Sequence, residues 1–207
     1  PRLADFLDQT ALKYPHYHAR PVAPFGDRDA QLLIVGLAPG MHGANATGRP
    51  FTGDYAGILL YQTLYDYGFS NQPVSVSRDD GLQLDGCRIT NAVKCLPPQN
   101  KPQLEEVKHC NRYLHAELEG LQGSAVVLAL GKIAHDAVIR ALGLRLSVYP
   151  FGHAQVHHVT DDLCLVDSYH CSRYNTQTRR LTPDMFANVF RLVRQILDDK
   201  EIPVSAC

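Results

Sequence analysis

The chain has 207 residues, of which 45% are hydrophobic and 20% charged, and its formal net charge is −1. These values fit one globular domain, residues 1–207, whose core can bury about 70% of the unfolded surface, and they exclude fibrous and low-complexity classes. No apolar run approaches the ~20 residues of a membrane-spanning helix, and the near-neutral balance excludes a uniformly basic nucleic-acid-binding domain, so any polyanion site must be a local patch.

In chain order, helical spacing predicts a first helix from Leu3 to about Lys13. The apolar run Gln31–Val35 then reads as a strand buried on both faces. It opens into GLAPGMHGANATGRPFTGD, Gly36 to Asp54, a loop with more glycines than packing alone requires; a strand that opens into such a loop presents backbone to a ligand. A helix is expected at about Gly57–Tyr67 and a second buried strand at Arg88–Val93, ending in Thr90-Asn91. The next helix, about Gln103–Leu121, carries an apolar face at Leu104, Val107, Cys110, Leu114 and Leu118. A strand at Ala125–Leu130, a helix at Lys132–Leu142 and a strand at Leu163–Asp167 follow. The last strand leads into SYHCSRYNTQTRRLT, Ser168 to Thr182, which gathers a histidine, an asparagine and three arginines. The last helix, Pro183–Asp198, has a clear start, since Thr182 caps and Pro183 suits the first turn.

Alternating strands and helices imply a parallel sheet covered by helices on both sides. Ligands of such sheets bind beyond the carboxyl ends of the strands. Three of the four strands end there in polar chemistry, at Gly36, at Thr90-Asn91 and at Tyr169-His170, and this convergence marks a site. Positive charge gathers at Lys94, Lys101, Lys108 and Arg112, and again at Arg173, Arg179 and Arg180; either group also fits plain solvated surface. The six cysteines, Cys87, Cys95, Cys110, Cys164, Cys171 and Cys207, form no compact disulfide framework. An intracellular, reducing, cytoplasmic setting is expected.

The elements GLAPG, H-G-A-N-x-T-G-R-x-F-T-G-D, I-T-N-A-V-K-C-x-P-P-x-N-K-P and H-C-S-R-x-N-T-Q-T-R-R-L-T together resemble the family 5, or B-type, uracil-DNA glycosylases of the iron-sulfur uracil-DNA glycosylase superfamily. The likeness runs from about Ala30 to Thr182, and its motifs are long and in the family's order. It implies a three-layer α/β/α fold with a central four-stranded parallel sheet. The implied activity is release of uracil from DNA, together with other deaminated bases such as hypoxanthine and xanthine, leaving an abasic site. A base inside a duplex must be flipped out to be reached, at a cost of a few kcal/mol. The implied partner is uracil-containing DNA, and one-base repair suits a monomer.

The same resemblance assigns roles. Gly36, Leu37 and Ala38 would form the pocket loop and Phe51 would stack on the extruded base, although an aromatic there also fits a core role. The planar amide of Asn91 suits the O4 and N3–H edge of uracil and mismatches cytosine; a structural role at the strand end is its other reading. Asn100 reads as a turn residue. His170 would donate to uracil O2 as negative charge develops on the leaving base. Asp54 would orient or deprotonate the attacking water and steady the cationic sugar, or cap the helix that follows, or both. Ser172, Arg173, Asn175, Arg179 and Arg180 would hold flanking phosphates in a loop that wedges the duplex. The other nine histidines read as surface or packing residues, and His157 and His158, adjacent on a strand, point to opposite faces.

Cys95 and Cys110 resemble half of the family's four-thiolate ligand set for a [4Fe-4S] cluster. The other half is a C-x-x-C pair expected upstream of residue 1, just before the Pro1-Arg2-Leu3 segment. Cys87 and Cys164 read as small buried apolar residues, and Cys171 stands where related enzymes often have proline. Two other classes compete with this reading. A non-catalytic iron-sulfur nucleic-acid-binding module of the same fold would be expected to lose Asp54 or His170, and both are present. A small-molecule hydrolase using Ser168 or Ser172 with His170 lacks a G-x-S-x-G elbow, a P-loop and a complete G-x-G-x-x-G.

Overall fold

The computed structural model describes residues 2–198; Pro1 and Cys207 lie outside the described residues. Strands β1 (Phe25–Gly26), β2 (Leu32–Gly36), β3 (Cys87–Asn91), β4 (Ala125–Leu130), β5 (Val156–Thr160) and β6 (Leu163–Ser168) form one sheet in the order β1-β3-β2-β4-β6-β5. The four inner strands are parallel. The expected four-stranded sheet is therefore the centre of a six-stranded one, closed at each edge by an antiparallel strand. Neither edge announces itself as an apolar run, because β1 has two residues and β5 carries His157 and His158 in its middle.

β2 and β4 are buried at every position, which explains their uninterrupted apolar sequences, LLIVG and AVVLAL. Alternate residues feed two cores. Leu32 and Ile34 of β2 join Leu60 and Tyr61 of α3 (Tyr55–Asp66) and Phe186 and Phe190 of α7 (Pro183–Asp198) on one face. Leu33 and Val35 join Val107 and Leu114 of α4 (Leu104–Glu119) and Ala134 and Val138 of α5 (Lys132–Ala141) on the other. The result is the expected three layers, with α1 (Arg2–Lys13) packing Leu3 against the second core.

Helix starts follow local chemistry. Thr182 Oγ1 accepts from the Met185 amide and begins α7, and Gln103 with Glu106 forms a capping box at α4. Two short helices sit inside segments read as loops: α2 (Ala44–Thr47) and α6 (Arg173–Gln177). The chain runs from β2 outward to β3 and then crosses back to β4, so the strand order reverses between β2 and β4. A crevice opens at their carboxyl ends, as the rule for open parallel sheets requires.

Candidate active site

That crevice holds a cavity of about 490 Å³ lined by Leu37, Ala38, Gly40 and Ala44 after β2, Asn91 at the end of β3, and residues 130–134 from β4 into α5. Phe51, Asp54, Tyr55, Ala56, Asn100, His170, Ser172 and Arg173 complete its wall. Residues more than 100 positions apart in the chain thus meet at one opening.

Gly36 lies beneath two of these groups. A Cβ on it would stand 2.4 Å from Asn91 Oδ1 and 2.6 Å from Phe51 Cζ, so both side chains close directly over its bare Cα. Phe51 is buried, adopts φ 54°, and stacks with the His170 ring at a centroid distance of 6.0 Å. Phe51 packs into the core and also lines the cavity. A buried ion pair supports its loop, in which Arg49 Nη1 donates to Asp80 Oδ1 at 2.7 Å. Thr52 and Ser75 hydroxyls bond at 2.6 Å beside it.

Asn91 is pinned through its backbone. Gly36 pairs with it across β2 and β3, and the buried Lys94 amine donates to its carbonyl at 2.9 Å and to Thr90 Oγ1. Burial pushes the Lys94 ammonium down to about 8. Lys94 therefore belongs to the strand support rather than to a phosphate patch, and Lys108 of the same group pairs with Glu105. Asn100 sits in a short 3-10 turn at φ 55° on the pocket rim, in keeping with its turn role.

Asp54 caps α3, with Oδ1 accepting from the Gly57 amide at 2.9 Å. Its other oxygen faces the loop, since a Cβ on Gly43 would lie 2.7 Å from Oδ2. Burial raises the Asp54 carboxyl above its ordinary value, outweighing the amide bonds from Gly57 and Ala56. A carboxylate held at one oxygen and free to accept a proton at the other is suited to general base chemistry.

The His170 ring faces the cavity, while its Nδ1 is buried with no hydrogen-bond partner. Burial pushes the imidazole down to about 4, which favours the neutral ring over the cation. Asn175 Nδ2 donates to the His170 carbonyl at 2.8 Å, and Ser172 Oγ caps α6 by accepting from the Asn175 amide. These two residues brace His170 from behind. Arg173, Arg179 and Arg180 are exposed; Arg173 lies over the Tyr55 ring and Arg180 over the Tyr169 ring. The hydrolase pairings find no partner, because Ser168 Oγ donates to the Tyr169 carbonyl and Ser172 Oγ is committed to the cap. Burial pushes the Cys171 thiol up, away from reactivity.

Cys95 and Cys110 are half-exposed free thiols. Burial raises the Cys95 thiol and the neighbouring Cys110 sulfur adds to that effect, which places the two within electrostatic reach of each other. Two free cysteines that would repel one another as thiolates suit a metal group that stabilises both in that form. Arg2 pairs with Glu106 at 2.7 Å, one turn before Cys110, so the start of α1 lies beside this pair.

The sequence profile of the Uracil DNA glycosylase superfamily matches residues 23–194. A Type-5 uracil-DNA glycosylase of Thermus thermophilus is 44% identical over 201 residues, covering 95% of this chain and 91% of that protein. A Type-5 uracil-DNA glycosylase of Pyrobaculum aerophilum is 46% identical over 175 residues, covering 84% of this chain and 76% of that protein. One of Mycobacterium leprae is 39% identical over 204 residues, covering 95% and 89%.

Proposed function

Since the chain belongs to the uracil DNA glycosylase superfamily, we propose that its cavity receives a base flipped out of DNA and that Asp54 and His170 carry the reaction there. The activity is hydrolysis of the N-glycosyl bond of uracil in DNA, a repair reaction that leaves an abasic site. The observation that carries the residue roles is the meeting of Phe51, Asn91, Asp54 and His170 around one cavity.

In the proposed mechanism the base slides against Phe51, and the Asn91 amide donates to O4 and accepts from N3–H. Cytosine reverses that donor and acceptor order and leaves a buried amide unpaired. As the bond to the sugar stretches, negative charge grows on the base, and the neutral His170 ring donates a hydrogen bond to O2. A preorganised donor of this kind contributes about 3–4 kcal/mol. The free oxygen of Asp54 takes a proton from the attacking water while its charge steadies the cationic sugar. Arg173, Arg179 and Arg180 bind phosphates flanking the lesion, with Ser172 and Asn175 holding the loop that presents them. The presence of both Asp54 and His170 at the cavity speaks against a binding module without activity.

The apolar wall of Leu37, Ala38, Gly40 and Ala44 and the volume of about 490 Å³ support acceptance of hypoxanthine and xanthine as well as uracil. Cys95 and Cys110 would supply two of the four thiolates of a [4Fe-4S] cluster, which would act as a rigid clasp between the turn after β3 and α4. The free cysteines support a cytoplasmic setting, no described helix is long and apolar enough to cross a membrane, and the two cores that share one sheet support a single domain. The test is base release from duplexes that carry one uracil or, as control, cytosine at the same position. Uracil-dependent release that falls at least 10²-fold in Asn91→Ala supports the assignment; unchanged release by that variant refutes the role of Asn91.

A further inference from the structure

Outside the cavity, three chemistry-bearing side chains meet in the interior. His135 of α5 is 1% exposed, Asp167 of β6 is fully buried, and His157 of β5 lies beside them. His135 Nδ1 is 2.8 Å from Asp167 Oδ1, and His135 Nε2 is 2.8 Å from the Tyr149 carbonyl oxygen. The carbonyl can only accept, which obliges Nε2 to carry a proton. The Nδ1 contact is to a carboxylate whose other oxygen accepts from the Gly152 amide at 3.2 Å and His157 Nε2 at 3.3 Å. The proton in the Nδ1 contact resides on the imidazole, which is the more basic of the two partners. Both ring nitrogens of His135 and both carboxylate oxygens of Asp167 are thus used in hydrogen bonds, which makes this an ion pair rather than an open set of metal ligands.

We infer that His135 is a buried imidazolium and that its pair with Asp167 is the positioning device for His170; the second half rests on the proposed role of His170 in base release. The path is short. The Asp167 carboxylate ties β6 to α5, to β5 and to the loop at Gly152. Its backbone adds bonds from the Ala154 amide to its carbonyl and from its own amide to Gln155. One residue from Gly152 and Ala154, His153 Nδ1 accepts the amide of Tyr169 at 3.2 Å and stacks on the Tyr169 ring at 4.8 Å. Tyr169 immediately precedes His170 and bears Arg180 on its ring. From the other side, Gly131 stands at the N-cap of α5; its amide bonds the Ser168 carbonyl, and a Cβ on it would lie 3.4 Å from His170 Cβ. His135 stands one turn further along that helix. The pair therefore fixes both the strand end that carries His170 and the helix start that abuts it.

The charged and titratable groups facing His135 are Asp167 from β6, His157 from β5, and Asp136, its neighbour in α5, which pairs with Lys132. Burial works against the charged ring, but the Asp167 bond prevails and raises it above its ordinary value. A raised histidine stays charged below its folded pKa and loses the proton only as pH rises through it.

The first readout is nitrogen-15 NMR of the histidine side chains in the wild-type protein, which needs neither DNA nor activity. His135 is expected to show both ring nitrogens protonated above pH ~6.5, where an ordinary imidazole is mostly neutral. A single protonated nitrogen at neutral pH overturns the inference. The second readout is steady-state base release by His135→Gln and Asp167→Asn. The expected result is a kcat lower by tenfold or more, with KM for uracil DNA unchanged and the His170 ring resonances displaced. An unchanged kcat, or undisplaced His170 resonances in a folded variant, overturns the positioning role. A wild-type protein without base release would instead sink the proposed function while leaving the His135 protonation result standing.

Discussion

Replacing Gly36 with alanine adds one methyl group at the floor of the cavity. Gly36 has an ordinary extended backbone, so the substitution introduces no dihedral strain; the whole effect is steric. The new Cβ would lie 2.4 Å from Asn91 Oδ1 and 2.6 Å from Phe51 Cζ. Restoring contacts of 3.4 Å requires the amide oxygen to move by about 1 Å and the ring by about 0.8 Å. The strands cannot part to relieve this, because Gly36 pairs with Asn91 in the ladder and its carbonyl accepts from the Ala92 amide at 2.9 Å. The side chains must turn away instead. A displacement of about 1 Å in a positioning group costs roughly 10²-fold in rate, and overpacking costs about 1–3 kcal/mol in stability. The assay is single-turnover uracil release at saturating enzyme, with thermal unfolding alongside. Gly81→Ala is the control, since nothing lies within 4 Å of its would-be Cβ and its φ of +79° makes the penalty purely conformational. It is expected to lower stability by about 1–2 kcal/mol and leave the rate intact. A Gly36→Ala enzyme that is folded and within threefold of wild-type rate would refute the assignment of Asn91 and Phe51 to the base.

With Asp54 in the proposed role, its raised carboxyl is expected to set the acid limb of the rate profile. Its ionised form is the active one, so kcat falls as pH drops through that raised value, while His170 stays neutral down to about 4. Asp54→Asn is expected to remove the limb and lower kcat by about 10²–10⁴-fold; an acid limb that persists in the variant assigns it elsewhere. Asp80→Asn leaves the Arg49 guanidinium buried without its carboxylate and is expected to cost about 3–5 kcal/mol by denaturant unfolding. Although burial pushes the Asp80 carboxyl up, the Arg49 bond and the amides of Val76, Leu82 and Ser77 bring it down to about 2. Its stabilisation is therefore full above the ordinary carboxylate range and is lost as pH falls toward 2. A loss under about 1 kcal/mol in the variant would place the pair among surface bridges.

The inner strands were legible because their sequences are uninterrupted apolar runs, and Ala125–Leu130 has the same limits in sequence and structure; the amphipathic helix Pro183–Asp198 does too, because Thr182 and Pro183 mark its start. Edge strand β5 was not, since a strand with one wet side and two histidines has no such run. Helix α6 hid inside an arginine-rich loop, where five residues are too few to establish a period. The convergence of polar strand ends at one crevice followed from topology alone. The second use of Asn175, as a brace for the His170 carbonyl, did not, because a side-chain amide's partner depends on a turn set by the Ser172 cap. His157 and His158 do face opposite ways, with His157 inward and His158 exposed. What pairs with His157 was beyond reach: His135 and Asp167 come from separate elements and join it only through the β4, β5 and β6 arrangement.

The most direct test is release of uracil from a duplex bearing a single uracil, measured in one turnover by the wild-type protein and by His170→Ala. Release that requires uracil, and that falls by roughly 10²–10³-fold in a folded variant lacking the O2 donor, is the predicted result. Absence of release by the folded, cluster-loaded wild-type protein, or undiminished release by the variant, would contradict it.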